Sequence, residues 1–360
     1  MKSIINLLVL LACLVGLGIR ADAAAEFRVE QREQSISISW QDRAVAEYVF
    51  RDGQTLRPYF TRLHAADGTQ VSRNHPPVKG VDATDHDTLH PGLWLAFGDL
   101  NGVDFWRNKG RVEHLRFVRE PRVTAGRLSF AVEDQYVAAS RAEVCRAVNE
   151  FCFIAGETMR PALPGTLLLW RTTLRRADGL LNFGPQHGMG LGFRVATPLA
   201  VKGGTGSIVS NHGGKNETGN WGLTGTWWNY SGTVNDRQAG ILAVAAPDNA
   251  RPVWSHARDY GFIALNPTGP PPGVKDVASI PFAVPNGESL VLKFGVLLHS
   301  STEKEPLDAD IAAKTVAAEL KSWKNDATAA VREQCEPAVR LGRPSNASDV
   351  EYDRGRVRQN

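Results

Sequence analysis

From Ser35 to Leu298 the chain is cut by turn residues into short apolar runs, and no helical period separates them. With 34 glycines and 20 prolines in 360 residues, few segments are long enough for anything but a strand. Parallel βα units need helical crossovers between strands, and none are written here. The pattern therefore predicts a mainly β protein, one large antiparallel β-sandwich (supersandwich-like) over 26–305. Strands are expected at Ser35–Trp40, Ala44–Phe50, Leu56–Phe60, Glu113–Val118, Leu128–Ala131, Thr166–Leu174, Leu191–Val195, Gly240–Ala245, Phe262–Leu265 and Leu290–Leu298. Asn266 to Gly273 reads as a long loop between two of them.

Helical spacing comes late. Ile311, Val316, Leu320 and Trp323 recur between Asp308 and about Ala330, which predicts one amphipathic C-terminal helix within 306–335 packed outside the sheets. The tail 345–360 lacks any period and reads as disordered. At the other end, Lys2, the apolar run Ile4–Gly18 and Ala21-Asp22-Ala23 form a signal peptide over 1–25. That run is short for a membrane span, so the mature chain is expected in the periplasm or secreted, with no span left after cleavage. A net charge of +3 with scattered basic residues points away from nucleic acid. Cys145 and Cys152 flank an Asn149-Glu150 turn signal, consistent with either a disulfide across a hairpin or two buried thiols. No Cys-x-x-Cys pair signals zinc.

Polar chemistry concentrates in Thr84–Arg107. Asp85, Asp87, Asp99, Asp104, His86 and His90 flank the apolar run Leu93–Phe97, which reads as a buried strand with a polar loop at each end. Further candidates are His187, His256, Arg258, Asp259 and Glu217. Trp221, Trp227, Trp228 and Tyr230 lie between glycines and suit either a stacking platform or core. If His256–Tyr260 is extended, His256, Arg258 and Tyr260 share one face and Asp259 the other, so only one of these can meet the central cluster.

Arg57–Phe60, Ser72–Pro77, Asp85–Trp106, Gly190–Leu199, Gly213–Glu217, Trp228–Gly232 and His256–Gly261 together resemble an exported bacterial family labelled methane oxygenase PmoA-like, a domain of unknown function. The resemblance spans Arg57 to Leu298 and implies a galactose mutarotase-like sandwich in carbohydrate-rich settings. Many members carry two adjacent histidines where this chain has Leu89-His90. The label itself does not imply methane oxidation, because no spanning segment follows the leader.

Three readings of the cluster follow. In the first, the protein acts on or binds a carbohydrate or other small polar ligand, with imidazole–carboxylate acid–base chemistry at the sugar. His86, His90, His187 and His256 are then the candidate acids and Asp85, Asp259 and Glu217 candidate bases. Arg57, Asn101, Asp104, Trp106, Glu217 and Arg258 would bind hydroxyls or stack. In the second, the same cleft is a non-catalytic sugar-binding or scaffold site. In the third, Asp85, His86 and His90, with His187 or His256, hold a metal, although spacing by four aligns ligands only on a helix. No cofactor is specified by any motif.

Overall fold

The turn-punctuated pattern resolves into two antiparallel eight-stranded sheets in a computed structural model that describes residues 26–271 and 282–323. In spatial order the first sheet runs Phe27–Gln31, Ser35–Trp40, Arg43–Val49, Tyr59–Thr61, Leu93–Phe97, Met189–Arg194, Phe262–Asn266 and Trp254–Arg258. The second runs Ser207–Ser210, Trp227–Val234, Arg237–Ala245, Ser289–Ser301, Gly165–Arg175, Glu143–Ala155, Arg127–Val137 and Arg111–Thr124. A two-stranded pair, Leu181–Phe183 with Phe282–Val284, completes the β structure described.

Alternation along each strand builds the core. Leu93, Leu95 and Phe97 face inward with Leu191, Phe193, Ile263 and Leu265, and meet Phe130, Phe151, Phe153 and Trp170 of the second sheet. The opposite side of the first sheet carries a separate apolar cluster of Tyr59, Trp94, Ala96, Trp106, Phe262 and Ala264.

The helix is Ala309–Ser322, capped by the Asp308 side chain, which accepts from Ile311 N–H at 3.0 Å. Ala312, Ala313, Val316 and Leu320 pack on Ile154, Leu167, Leu242 and Leu297 of the second sheet's outer side. Ile311, expected on that face, is instead 52% exposed. Residues after Trp323, including the expected end of the helix and the tail, lie outside the described residues, as does the leader 1–25. Among the described residues no helix is long and apolar enough to cross a membrane, which says nothing of strands.

The two readings of the cysteines are decided for buried thiols, and the turn between them needs correction. Cys145 and Cys152 sit on one unbroken strand, Glu143–Ala155, and both are free and buried. A chain extended at about 3.3 Å per residue holds them too far apart for a bond. The Asn149-Glu150 turn signal misleads because both side chains are satisfied on the two faces of the strand, Asn149 between the sheets and Glu150 under the end of the helix. Asn149 donates to Asp134 at 2.7 Å and accepts from Trp170 Nε1 at 3.0 Å, while Glu150 pairs with Arg171 at 3.3 Å.

Candidate functional site

The site is assembled on the outer side of the first sheet, where register aligns small residues under large rings. Trp94, Gly192, Ala264 and His256 lie in one cross-strand row, and Arg194, Phe262 and Arg258 in the next. Gly192 is required there: a Cβ would meet Trp94 at 2.7 Å and Trp106 at 2.8 Å. The two indoles thus lie against bare backbone, 5.3 Å apart, with Phe262 beside them. Glycine at alternate positions of Met189–Arg194 is the pattern in the sequence that could have pointed to this floor.

The loop Asp85–His90 places two imidazoles on it. His90 N–H donates to His86 O at 3.0 Å, closing a single turn despite the glycine and proline that follow. The spacing by four is realised as this turn, and the rings stack at 4.6 Å and 6°. Buried Arg73 ties the turn down by donating to the carbonyls of Ala83, Asp85, His86 and His90. His90 continues the stack onto Phe262 at 4.4 Å and Trp94 at 5.1 Å. Burial, then the nearby charges of His86 and three arginines, push its pKa well below the ordinary histidine value. His90 is therefore neutral at pH 7.

Asp85 links this loop to the sheet. Its carboxylate accepts two hydrogen bonds from Arg194, at 2.9 and 2.8 Å, and one from His86 Nδ1 at 2.8 Å. Burial alone would raise the Asp85 pKa, but the Arg194 and His86 hydrogen bonds and the Arg194 and Arg73 charges hold it far below the usual carboxylate range. A carboxylate so acidic is a poor base and a firm anchor for its neighbours. Arg194 in turn lies over Tyr260 at 4.6 Å. Arg194, Arg73, Tyr260 and Phe262 carry as much of the geometry as the expected residues. Their roles are invisible without the register.

His187 and His256 meet at the other side of the floor, 6.0 Å apart, with Trp221 5.6 Å from His187. Burial and then Arg258 lower the His256 pKa to about 4, and the same causes lower that of His187. The strand Trp254–Arg258 does present His256 and Arg258 outward with Tyr260 following, so this face meets the cluster. Asp259 does not join them. It accepts from Glu217 N–H at 2.8 Å, while Glu217 accepts from Asp259 N–H at 3.2 Å and pairs with Arg258 at 2.9 Å. That reciprocal clip fixes the short helix Asn216–Asn220 beside Trp221.

The expected hydroxyl-binding groups divide. Trp106 belongs to the floor. Arg57 lies buried beneath Trp94, donating to Trp106 O, Leu89 O and Asn108, so it braces the loops from within. Asp104 caps and pairs with Arg107, at 2.8 and 2.9 Å, close to His187. Asn101 is engaged with Leu180 O and Asn182 N–H, a clip between loops away from the rings. Stacked rings do not aim their nitrogens at one point, and no group of three or more His, Cys, Asp or Glu among the described residues could hold a metal ion. A groove of about 830 Å³ on this face lies on the Phe27–Val49 side and not over the rings.

Comparisons with known proteins bear on identity more than on chemistry. No curated protein matches the chain. Among solved structures, a galactose 1-epimerase from Lactobacillus acidophilus NCFM is similar at 8% identity and a TM-score of 0.38, covering 76% of this chain and 98% of that one. A beta-arabinopyranosidase is similar at 9% identity and a TM-score of 0.34; it covers 77% of this chain, which spans only 39% of that enzyme's length. Neither informs the residues of the site. Residues 35–314 match the profile described as Family of unknown function (DUF6807), across both sheets and into the terminal helix. The chain belongs to that family.

Proposed function

We propose that the protein binds a carbohydrate on the aromatic face of the first sheet and that His86 exchanges a proton with it. One observation carries this reading. Four ring nitrogens around a single floor, on His90 (Nδ1), Trp94 (Nε1), Trp221 (Nε1) and His256 (Nδ1), are buried with no hydrogen-bond partner in the protein. Orphaned buried polar atoms cost about 1–3 kcal/mol each, so gathering four at one place suits a polar ligand more than a core. The half-buried rings of Trp221 and Tyr260 beside them fit the C–H surface of a sugar, and the ring nitrogens its hydroxyls.

The proton chemistry follows from Asp85 and His86. Asp85 accepts from His86 Nδ1, which sets the tautomer and leaves Nε2 on the 43%-exposed side chain free to take a hydroxyl proton. His90 and His256, neutral through burial, serve as hydrogen-bond partners and not as acids. A non-catalytic sugar-binding role is favoured by one fact: Asp85–His86 is the sole carboxylate–imidazole pair among the site's described residues within hydrogen-bond distance. Export, read from residues 1–25, belongs to the same proposal.

The test is the thermal midpoint and tryptophan fluorescence of the protein across glucose, galactose, arabinose and xylose, for wild type and His86→Ala. A shift with one sugar class supports the site, since a ligand of the native state raises the midpoint by mass action. Anomer interconversion of that sugar, followed by NMR and lost in His86→Ala, supports proton transfer. Binding without turnover leaves the sugar-binding role, and no response to any sugar overturns the reading.

A further inference from the structure

The outer side of the first sheet continues beyond the rings into the groove of about 830 Å³, lined by Ser37, Ser39, Glu47, Gln70 and Asn74 among others. Register shows that groove and floor share one surface. Glu47 pairs across the sheet with Thr61, and Val49 with Tyr59, on adjoining rows. Glu47 lines the groove while Val49 and Tyr59 pack with Trp94. The loop holding Gln70 and Asn74 also carries Arg73, whose guanidinium secures the Asp85–His90 turn.

Its chemistry is narrow. Serine hydroxyls and side-chain amides face it. Its charges are each paired, Arg28 with Asp42, Arg62 with Glu47 at 3.6 Å, and Glu30 with the neighbouring Arg32 at 3.2 Å. Paired charges leave little net field for an anion, and the lining holds no Phe, Tyr or Trp ring. Hydroxyl and amide groups beside paired charges match a neutral polyhydroxylated ligand. The size lies at the upper end of small-molecule sites, roughly 300–1,000 Å³.

We infer that this groove holds further units of a neutral saccharide chain, so that the ligand of the ring face is an oligosaccharide and not a single sugar. The inference rests on the carbohydrate reading above. Lacking an aromatic platform, the groove adds affinity to a chain already held at the rings.

The experiment is a tryptophan fluorescence titration of the full chain with the four monosaccharides and with linear neutral oligomers from disaccharide to hexasaccharide. Wild type is expected to bind the longest oligomers at least about tenfold more tightly than the matching monosaccharide. Ser39→Arg should abolish that gain and leave monosaccharide affinity unchanged. Ala44→Arg, on an exposed position of the same groove, provides an independent block should Ser39→Arg not fold, as checked by near-UV circular dichroism. Monosaccharide binding with no dependence on length, or a dependence that survives both substitutions, overturns this inference alone. Absence of binding at every length overturns the carbohydrate reading itself.

Discussion

Arg194 holds Asp85 with both terminal nitrogens, Nη1 to Oδ2 at 2.9 Å and Nη2 to Oδ1 at 2.8 Å, while Asp85 Oδ2 also accepts from His86. One carboxylate thereby ties a loop imidazole to a buried strand guanidinium that is 1% exposed. Bidentate geometry of this kind orients as well as attracts.

Asp85→Asn should therefore destabilise the protein and disorder His86 together. Breaking a fully buried pair costs about 3–5 kcal/mol. With Asp85 40% exposed, solvent screening reduces the expectation to about 1–3 kcal/mol. Urea unfolding measures the first effect. The second appears as a raised His86 mobility in imidazole NMR relaxation, and no such change would refute the orienting role.

Gly192→Ala should disturb the aromatic floor without touching any polar group. The added Cβ meets Trp94 and Trp106 inside 3.0 Å. Overpacking typically costs about 1–3 kcal/mol, and the displaced indoles should shift the tryptophan emission maximum. An unchanged spectrum and midpoint would show that the floor is looser than its contacts indicate.

Acid should weaken the fold well before the carboxylates titrate. Burial lowers the pKa of His75, His256 and His299 to about 4 each. Unfolded, they take protons near the ordinary value of 6.5, so between about 6.5 and 4 the unfolded chain binds more protons and stability falls as pH falls. Above that window the stability is fully present. Each group contributes about 3 kcal/mol at most, and Asp134, raised by burial, opposes the trend as it takes up its proton. Urea midpoints from pH 8 to 4.5 test this, and His299→Gln should flatten the slope.

With Cys13 and Cys335 replaced by serine, reductant should leave the unfolding midpoint unchanged, because Cys145 and Cys152 are separate buried thiols, raised in pKa by burial. Both should react with a thiol reagent only on denaturation. Rapid native labelling mapped to Cys145 or Cys152, or a reductant-sensitive midpoint once Cys13 and Cys335 are replaced by serine, would contradict the continuous strand.

Much of the fold was legible because strands announce themselves by local alternation. Ser35–Trp40, Leu93–Phe97 and Phe262–Leu265 appear nearly as their patterns require. Glu143–Ala155 did not, since its Asn149, Glu150 and two cysteines satisfy or bury themselves against partners far along the chain. Trp227–Val234 was obscured in the same way by polar and glycine positions that make sense only beside Arg237–Ala245.

By itself the sequence determined the β-sandwich class, the late helix and the clustering of polar residues along Asp85–Trp106, because periodicity and turn chemistry are local. Only the tertiary structure decided which polar residues face one another. It set Arg194 against Asp85 from more than a hundred residues away, stacked His86 on His90, and drew Asn101 and Asp259 into loop clips. Cross-strand register makes those choices, and register is a property of paired strands, not of either strand alone.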